Sequence, residues 1–379
     1  LIDVYLRAPP TMKKFSLSLH LMVLSVFFSL GLPMQACAEK TAKTHKIRTS
    51  QVTAPSDQPE FTNFMQWRGV NELIDELSEQ HGLQRETLRL QFAKVHYLEN
   101  VVRLINPPPP TKIKNWTVYR ERFIEPTRVR AGAAFWKKHE AALTRAESEF
   151  GVPAEIIIGI LGVETMYGKM TGNIRVVDAL ATLAFAYPPT ANRDARMAYF
   201  RNELKQIFLL ARDNQMDPLS FYGSFAGAIG LPQFMPGSIR RFAVDFDGDG
   251  RIDLRNSPSD AIGSIGSFLS QHGWQTEQPL VFPVKVSAQS DATWPGMIGQ
   301  SLEAKFTLDE FSRAGVTFDD TVPASINYGL VDLQDGDRPT RYWLGTANFF
   351  AIAQYNRSFF YAMSVIELGR AIKQQRHAL

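Results

Sequence analysis

The sequence holds a single cysteine, Cys37, which excludes both an internal disulfide framework and a paired-cysteine zinc or redox site. Its seven histidines never fall in the HExxH spacing of a zinc protease. Neither charge sign dominates: 41 basic against 38 acidic residues leave +3, too weak a field to favour nucleic acid as a partner. No internal repeat is evident. Beyond residue 32 no long apolar run occurs, so the body of the chain is not expected to span a membrane. What remains is an ordinary globular balance, 45% hydrophobic and 21% charged over 379 residues, long enough for two or three units with a sizeable core.

The one long apolar run is at the start. Met12-Lys13-Lys14 precedes Phe15 to Leu32, and Ala36-Cys37-Ala38 follows. A positive start, an apolar middle and a small-residue end make a secretory signal, so residues 1–38 are set aside, the first eleven as upstream sequence. Two processing routes are open. Cleavage after Ala38 releases a soluble protein, whereas an imperfect lipoprotein box, Met34-Gln35-Ala36-Cys37, leaves Cys37 lipidated and the chain anchored to the outer membrane. Either route leads to a periplasmic location.

Residues 39–60, polar and rich in Lys, Thr, Ser and Pro, read as a tether. From 61 to 140 the spacing of Phe64, Trp67, Leu73, Leu77 and Leu83 predicts helices, interrupted by the four-proline bend Pro107–Pro110. Helix resumes over Ala131–Phe150, and Gly151-Val152-Pro153 opens an apolar helix reaching Tyr167. Further helices are expected at Val177–Phe185, Arg193–Arg212 and Asp260–His272, with a tight Gly/Pro-rich connection from Ser224 to Ser238. Residues 278–345 change texture, with short strands at Leu280–Phe282, Val284–Val286, Tyr328–Leu333 and Arg341–Leu344. Helix returns from Thr346 to about Lys373. The fold class is mainly α (α+β), a helical protein with a small β-containing insertion.

Three features could carry chemistry. Glu164 shares a face with Ile157 and Leu161, and a carboxyl on an apolar stripe is desolvated, which raises its pKa into the range of a general acid. A buried glutamate tied to Arg or Lys is the competing explanation. Asp245, Asp247 and Asp249, with Gly250, the Arg251 carbonyl and apolar Ile252, match positions 1, 3, 5, 6, 7 and 8 of a calcium loop. Position 12 is Asn256 rather than glutamate. Asp260 is then the candidate last ligand in a longer loop spanning 245–260; the competing explanation is a solvated acidic turn. Last, Tyr355-Asn356 and Tyr361 suit a sugar cleft, although tyrosines at helical spacing also pack at core edges.

Gly162-Val163-Glu164-Thr165 and Asp178-Ala179-Leu180-Ala181-Thr182-Leu183 resemble motifs of the B-type membrane-bound lytic murein transglycosylases. So do Gly223-Ser224-Phe225-Ala226-Gly227-Ala228-Ile229-Gly230, Gln233-Phe234-Met235-Pro236, the acidic loop and Tyr355-Asn356. The resemblance extends over about residues 61–370. It implies a helical domain (61–140) and a lysozyme-like catalytic core (141–277). A small β domain (278–345) and a C-terminal helix (346–379) that completes the cleft follow. It also implies an enzyme that cleaves peptidoglycan between N-acetylmuramic acid and N-acetylglucosamine and leaves 1,6-anhydromuramic ends. Glu164 would serve as acid and then base, Ser224 and Gln233 would orient it and the sugar, and Tyr119, Tyr199, Tyr355, Asn356 and Tyr361 would line the cleft. Arg196 would face the lactyl or peptide carboxylate. Ca²⁺ would be structural, and no organic cofactor is implied. Two departures stand out: Phe268 lies where the family has tyrosine, and the loop is one residue longer before Asp260. A muramidase on the same scaffold and a silent, calcium-dependent glycan-binding protein are the alternatives. Spacing alone places no second carboxylate beside Glu164.

Overall fold

The computed structural model describes residues 64–106, 114–299 and 301–377. The secretory segment, Cys37, the 39–60 tether and the Pro107–Pro110 bend lie outside them.

The first half of the described chain is helical: α1 (Arg68–His81), α2 (Arg85–Phe92), α3 (Glu99–Ile105), α4 (Trp116–Glu121), α5 (Pro126–Lys138), α6 (Glu140–Phe150) and α7 (Ala154–Thr165). Each boundary has a local cause. Helix α1 buries Val70, Leu73, Ile74 and Leu77 along one stripe and stops at Gly82 in the left-handed conformation, φ 69°. The expected Ala131–Phe150 helix is two helices. Glu125 caps the first by accepting from the Thr127 and Arg128 N–H groups, Pro126 occupies its first turn, and His139 separates it from α6. Helix α7 is apolar all round: every residue from Ile156 to Thr165 is buried, so its helicity is imposed by surrounding packing rather than by one amphipathic face.

A two-residue strand β1 (Ile174–Arg175) then leads into α8 (Val176–Phe185) and the long α9 (Arg193–Asp213). Strand β2 (Tyr222–Gly223) pairs antiparallel with β1. The Ser224–Ser238 connection is compact as expected, but its last residues already belong to α10 (Pro236–Phe242). Helix α11 (Pro258–Gln271) follows the acidic loop, its N-terminus capped by the Ser257 hydroxyl with Pro258 in the first turn.

The textural change near residue 278 is a four-stranded antiparallel sheet. Its members are β3 (Val281–Val286), β4 (Val316–Thr317), β5 (Gly329–Asp335) and β6 (Arg338–Gly345), in the order β4-β3-β6-β5, with α12 (Leu308–Arg313) preceding β4. The two strands expected in 280–286 are one strand that runs through Pro283. The sheet has its own small core of Leu308, Phe311, Val316, Val322, Tyr328, Leu330 and Leu344. Its β5–β6 hairpin docks on α4, where buried Asp335 accepts from the Thr117 N–H at 2.7 Å and the Thr117 hydroxyl at 2.8 Å.

The C-terminal helix expected as one piece is α13 (Ala347–Asn356) and α14 (Phe359–His377). Arg357, at φ 45°, takes the left-handed conformation that ends α13. Helix α14 then packs directly on α7. A side chain at Gly159 would fall 2.4 Å from the Val365 carbonyl oxygen, and one at Gly369 would fall 2.1 Å from that of Glu155, so only glycine permits this approach. One continuous apolar core runs from Phe64 to Ile372 through α1, α7, α8, α9, α11, α13 and α14. Among the described residues no helix is long and apolar enough to cross a membrane.

Candidate active site

Glu164 sits in the last turn of α7, only 4% exposed. The Tyr361 hydroxyl, from the first turn of α14, donates to its Oε1 at 2.6 Å. Oε2 is buried with no hydrogen-bond partner. Burial pushes the carboxyl up to about 8, against a smaller lowering by the Tyr361 hydrogen bond. A carboxyl that is neutral near pH 7, with one oxygen fixed and the other unpartnered, is equipped to give a proton to a ligand atom. Among the described residues no Arg or Lys forms an ion pair with it, so the structural explanation left open by the sequence does not hold here.

A cavity of about 250 Å³ opens at Glu164, walled by α9, the 224–235 connection, α10, α11 and the end of α13. Ser224, Gln233, Tyr199, Tyr355 and Asn356 all line it. The Ser224 hydroxyl accepts from the Ala228 N–H at 3.1 Å, which fixes it at the head of the connection. Gln233 has a left-handed backbone, φ 52°. Its amide nitrogen donates to the Gly230 carbonyl at 2.9 Å and the Thr171 carbonyl at 3.3 Å, so Oε1 is what this side chain can offer a ligand. Tyr355 donates to the Pro232 carbonyl at 2.5 Å and lies parallel to Tyr361, ring centroids 6.0 Å apart. Burial, and secondarily the nearby Glu164, push the Tyr355 phenol well above its ordinary value. Phe268 is on the wall too, stacked against His272 with centroids 4.0 Å apart, so this position offers a ring face without a hydroxyl.

Three residues are placed differently from their sequence-based roles. Tyr361 is 1% exposed and serves Glu164 directly instead of facing the cavity. Tyr119 packs edge-on to Phe360 and is not among the cavity-lining residues; burial and then Glu164 raise its phenol to about 12. Arg196 is buried, donating from Nε to the Tyr187 hydroxyl at 3.1 Å, away from the cavity lining.

The cavity also contains a carboxylate that spacing did not find. Glu203 on α9 is 4% exposed, and its Oε2 accepts from the Gly237 N–H at 2.8 Å. Burial raises its pKa, partly offset by that bond and by Arg241. The signal was present in the sequence, since Phe200, Glu203 and Ile207 put a carboxyl on the apolar stripe of an amphipathic helix, as with Glu164.

In the acidic loop, carboxylate oxygens of Asp245, Asp247 and Asp249 lie within 4.8 Å of one another. Asp245 also accepts from the Gly248 and Gly250 N–H groups, at 2.8 Å each, which curls the loop around it. Asp260 is not part of the cluster. It is 1% exposed and spends one oxygen on the Phe246 N–H and the other on the Asp253 N–H, both at 2.8 Å, clasping the two ends of the loop.

Residues 64–370 match the family model described as the transglycosylase SLT domain. The chain is 37% identical to membrane-bound lytic murein transglycosylase B of Escherichia coli K12, over 90% of this chain and 95% of that protein. It superposes on soluble lytic transglycosylase SltB1 of Pseudomonas aeruginosa with a TM-score of 0.73 at 41% identity, covering 82% of this chain and 99% of that one. It also superposes on the Escherichia coli lytic transglycosylase Slt35 in complex with calcium, TM-score 0.71 at 38% identity, covering 83% and 96%. A family match over four-fifths of the chain, with the motif glutamate at the head of the cavity, makes this protein a member of the lytic murein transglycosylase family.

Proposed function

We propose that Glu164 performs both proton transfers of a murein cleavage in which the sugar closes on itself. Protonated Glu164 donates to the glycosidic oxygen between N-acetylmuramic acid and N-acetylglucosamine, and the C1–O bond breaks. The carboxylate so formed takes the proton of the muramoyl C6 hydroxyl as O6 bonds to C1. The acid is regenerated, a 1,6-anhydro end is left, and no water is consumed. The observation that carries this reading is the buried, otherwise unpartnered Glu164 carboxyl, poised near 8, at the head of a cavity lined by Ser224, Gln233 and Asn356. Retaining and inverting glycosidases need a second carboxylate for a nucleophile or a water. Glu203 has one oxygen engaged by the Gly237 N–H, and burial disfavours its ionised form, which argues against either task.

The acidic loop supports a structural calcium. Three carboxylates converge there, and among the described residues no Lys or Arg pairs with them, so a divalent cation relieves a mutual repulsion. Asp245, Asp247 and Asp249 would hold it, and Asp260 would act on the loop rather than the ion. Such an ion stabilises the fold and takes no part in proton transfer. Lipidation of Cys37 would attach the enzyme to the outer membrane, facing the murein from the periplasmic side.

The test is digestion of purified peptidoglycan followed by mass spectrometry of the released muropeptides. Anhydromuramic ends, one water lighter than reducing ends, are the expected products. Reducing ends would overturn the intramolecular step and make Glu203 the first candidate for activating water.

A further inference from the structure

The cavity has a charged rim that the proton transfers do not use. Two arginines line it, Arg241 from α10 and Arg357 from the break between α13 and α14, and both residues are exposed. Arg241 is held in place by its own segment. Its Nε–H donates to the Gly237 carbonyl at 3.1 Å, and its guanidinium carbon lies 5.1 Å from the centre of the Phe242 ring. Those contacts engage one of five N–H groups and leave the two terminal nitrogens with no hydrogen bond or carboxylate partner among the described residues. Arg357 ends α13 in a left-handed backbone conformation, φ 45°, and so sits at the break between the two helices.

The acidic groups on the same wall do not cancel this charge. Burial disfavours the ionised form of Glu164 and, with the Gly237 bond opposing, of Glu203. Burial likewise favours the neutral ring of His272, with the Phe268 carbonyl opposing and Arg241 adding to the effect. The mouth therefore presents two arginines beside carboxyls that resist ionisation. A glycan of N-acetylglucosamine alone carries no anion for such a mouth to pair with. The muramoyl sugar carries a carboxylate, either on its own lactyl group or on the peptide joined to it. Arg196, the arginine singled out in the sequence for this task, is buried against Tyr187 instead.

We infer that Arg241, together with Arg357, forms an anion subsite that recognises a carboxylate on the muramoyl side of the strand. This rests on the murein reading above and adds to it the group that separates murein from an uncharged glycan. A bidentate, charge-assisted contact at an exposed rim is worth about three- to tenfold in affinity for each guanidinium, weakening as salt rises.

The experiment is calorimetric binding to Glu164→Gln protein, in which turnover does not consume the probe. Three probes are compared: chitotetraose, which has no carboxylate; N-acetylglucosaminyl-N-acetylmuramic acid, with a lactyl carboxylate; and the same disaccharide bearing L-Ala-D-Glu, whose carboxylates belong to the peptide. Arg241→Gln is expected to weaken one or both anionic probes about three- to tenfold. Adding Arg357→Asn, a side chain that tolerates the left-handed backbone, should deepen the loss and flatten the salt dependence. Chitotetraose affinity should not move, which also reports that each variant is folded. Which anionic probe responds identifies the carboxylate. Equal losses for all three probes, or none for the anionic pair, would overturn the subsite and leave the murein reading standing. No binding by any probe would overturn both.

Discussion

Replacing Glu164 by glutamine should abolish turnover and stabilise the protein, by an amount that depends on pH in a defined direction. A carboxyl with an ordinary value of 4.5 stands at about 8 in the fold, because burial penalises its charge. Below 4.5 it is neutral whether the chain is folded or not, and burying it carries no ionic penalty. Between the two values the unfolded chain has released the proton and the folded chain retains it, so stability falls as pH rises. At about 1.4 kcal/mol per pH unit, the full penalty above pH 8 is on the order of 5 kcal/mol. Glutamine has no charge to bury, and its oxygen can still accept from Tyr361. Wild type and variant should thus be nearly equally stable at pH 4, diverge through pH 6, and differ by a few kcal/mol at pH 8 to 9. Urea unfolding of both proteins at those pH values, at fixed calcium, measures the difference directly. A difference that is flat with pH, or that favours wild type as pH rises, would refute the burial argument. In the same variant, turnover should fall by at least about 10²- to 10⁴-fold, the range of a positioned acid–base group.

Removing the Tyr361 hydroxyl with Tyr361→Phe takes away the hydrogen bond that lowers the Glu164 pKa, so the alkaline limb of the kcat/KM profile should move up by about one pH unit, with kcat reduced about tenfold. An alkaline limb that stays put would dissociate Tyr361 from the acid. Calcium at a hundred times its Kd should stabilise the fold by about 2.7 kcal/mol, seen as a raised Tm, and Asp245→Asn should abolish that gain without changing the muropeptide products. Asp260→Ala leaves the buried Phe246 N–H and the half-buried Asp253 N–H without their acceptor, so unfolding free energy should drop by about 2–4 kcal/mol even without calcium. A loss seen only with calcium present would instead make Asp260 a ligand.

The helical frame was legible because local signals and tertiary packing agree. Gly151-Val152-Pro153, read as the opening of an apolar helix, leads directly into α7 at Ala154, and the apolar run that follows is buried almost throughout. Glu164 was legible because its motif is local and its neighbours on the helix are apolar. The failures share a physical cause. Nothing within reach of Glu164 in sequence announces Tyr361, 197 residues away, because the bond exists only once α14 lies on α7. Arg196 and Tyr119 have the right chemistry for a cleft, but packing decided which face they occupy. The break at Arg357 was invisible because arginine is a good helix former, and its left-handed backbone is set by the turn it has to make. Asp260 matched a ligand by counting, whereas two backbone N–H groups claimed it first.

The packing of α14 on α7 also has a temporal meaning. The acid and the tyrosine that holds it are contributed by segments 197 residues apart, and the connection between them includes the whole four-stranded β sheet. A chain emerging from the ribosome therefore has its glutamate long before it has the donor that steadies it. Contacts so distant along the chain form late. A partly synthesised molecule would be a murein-cutting enzyme not yet armed, its competence withheld until the last described helix has arrived.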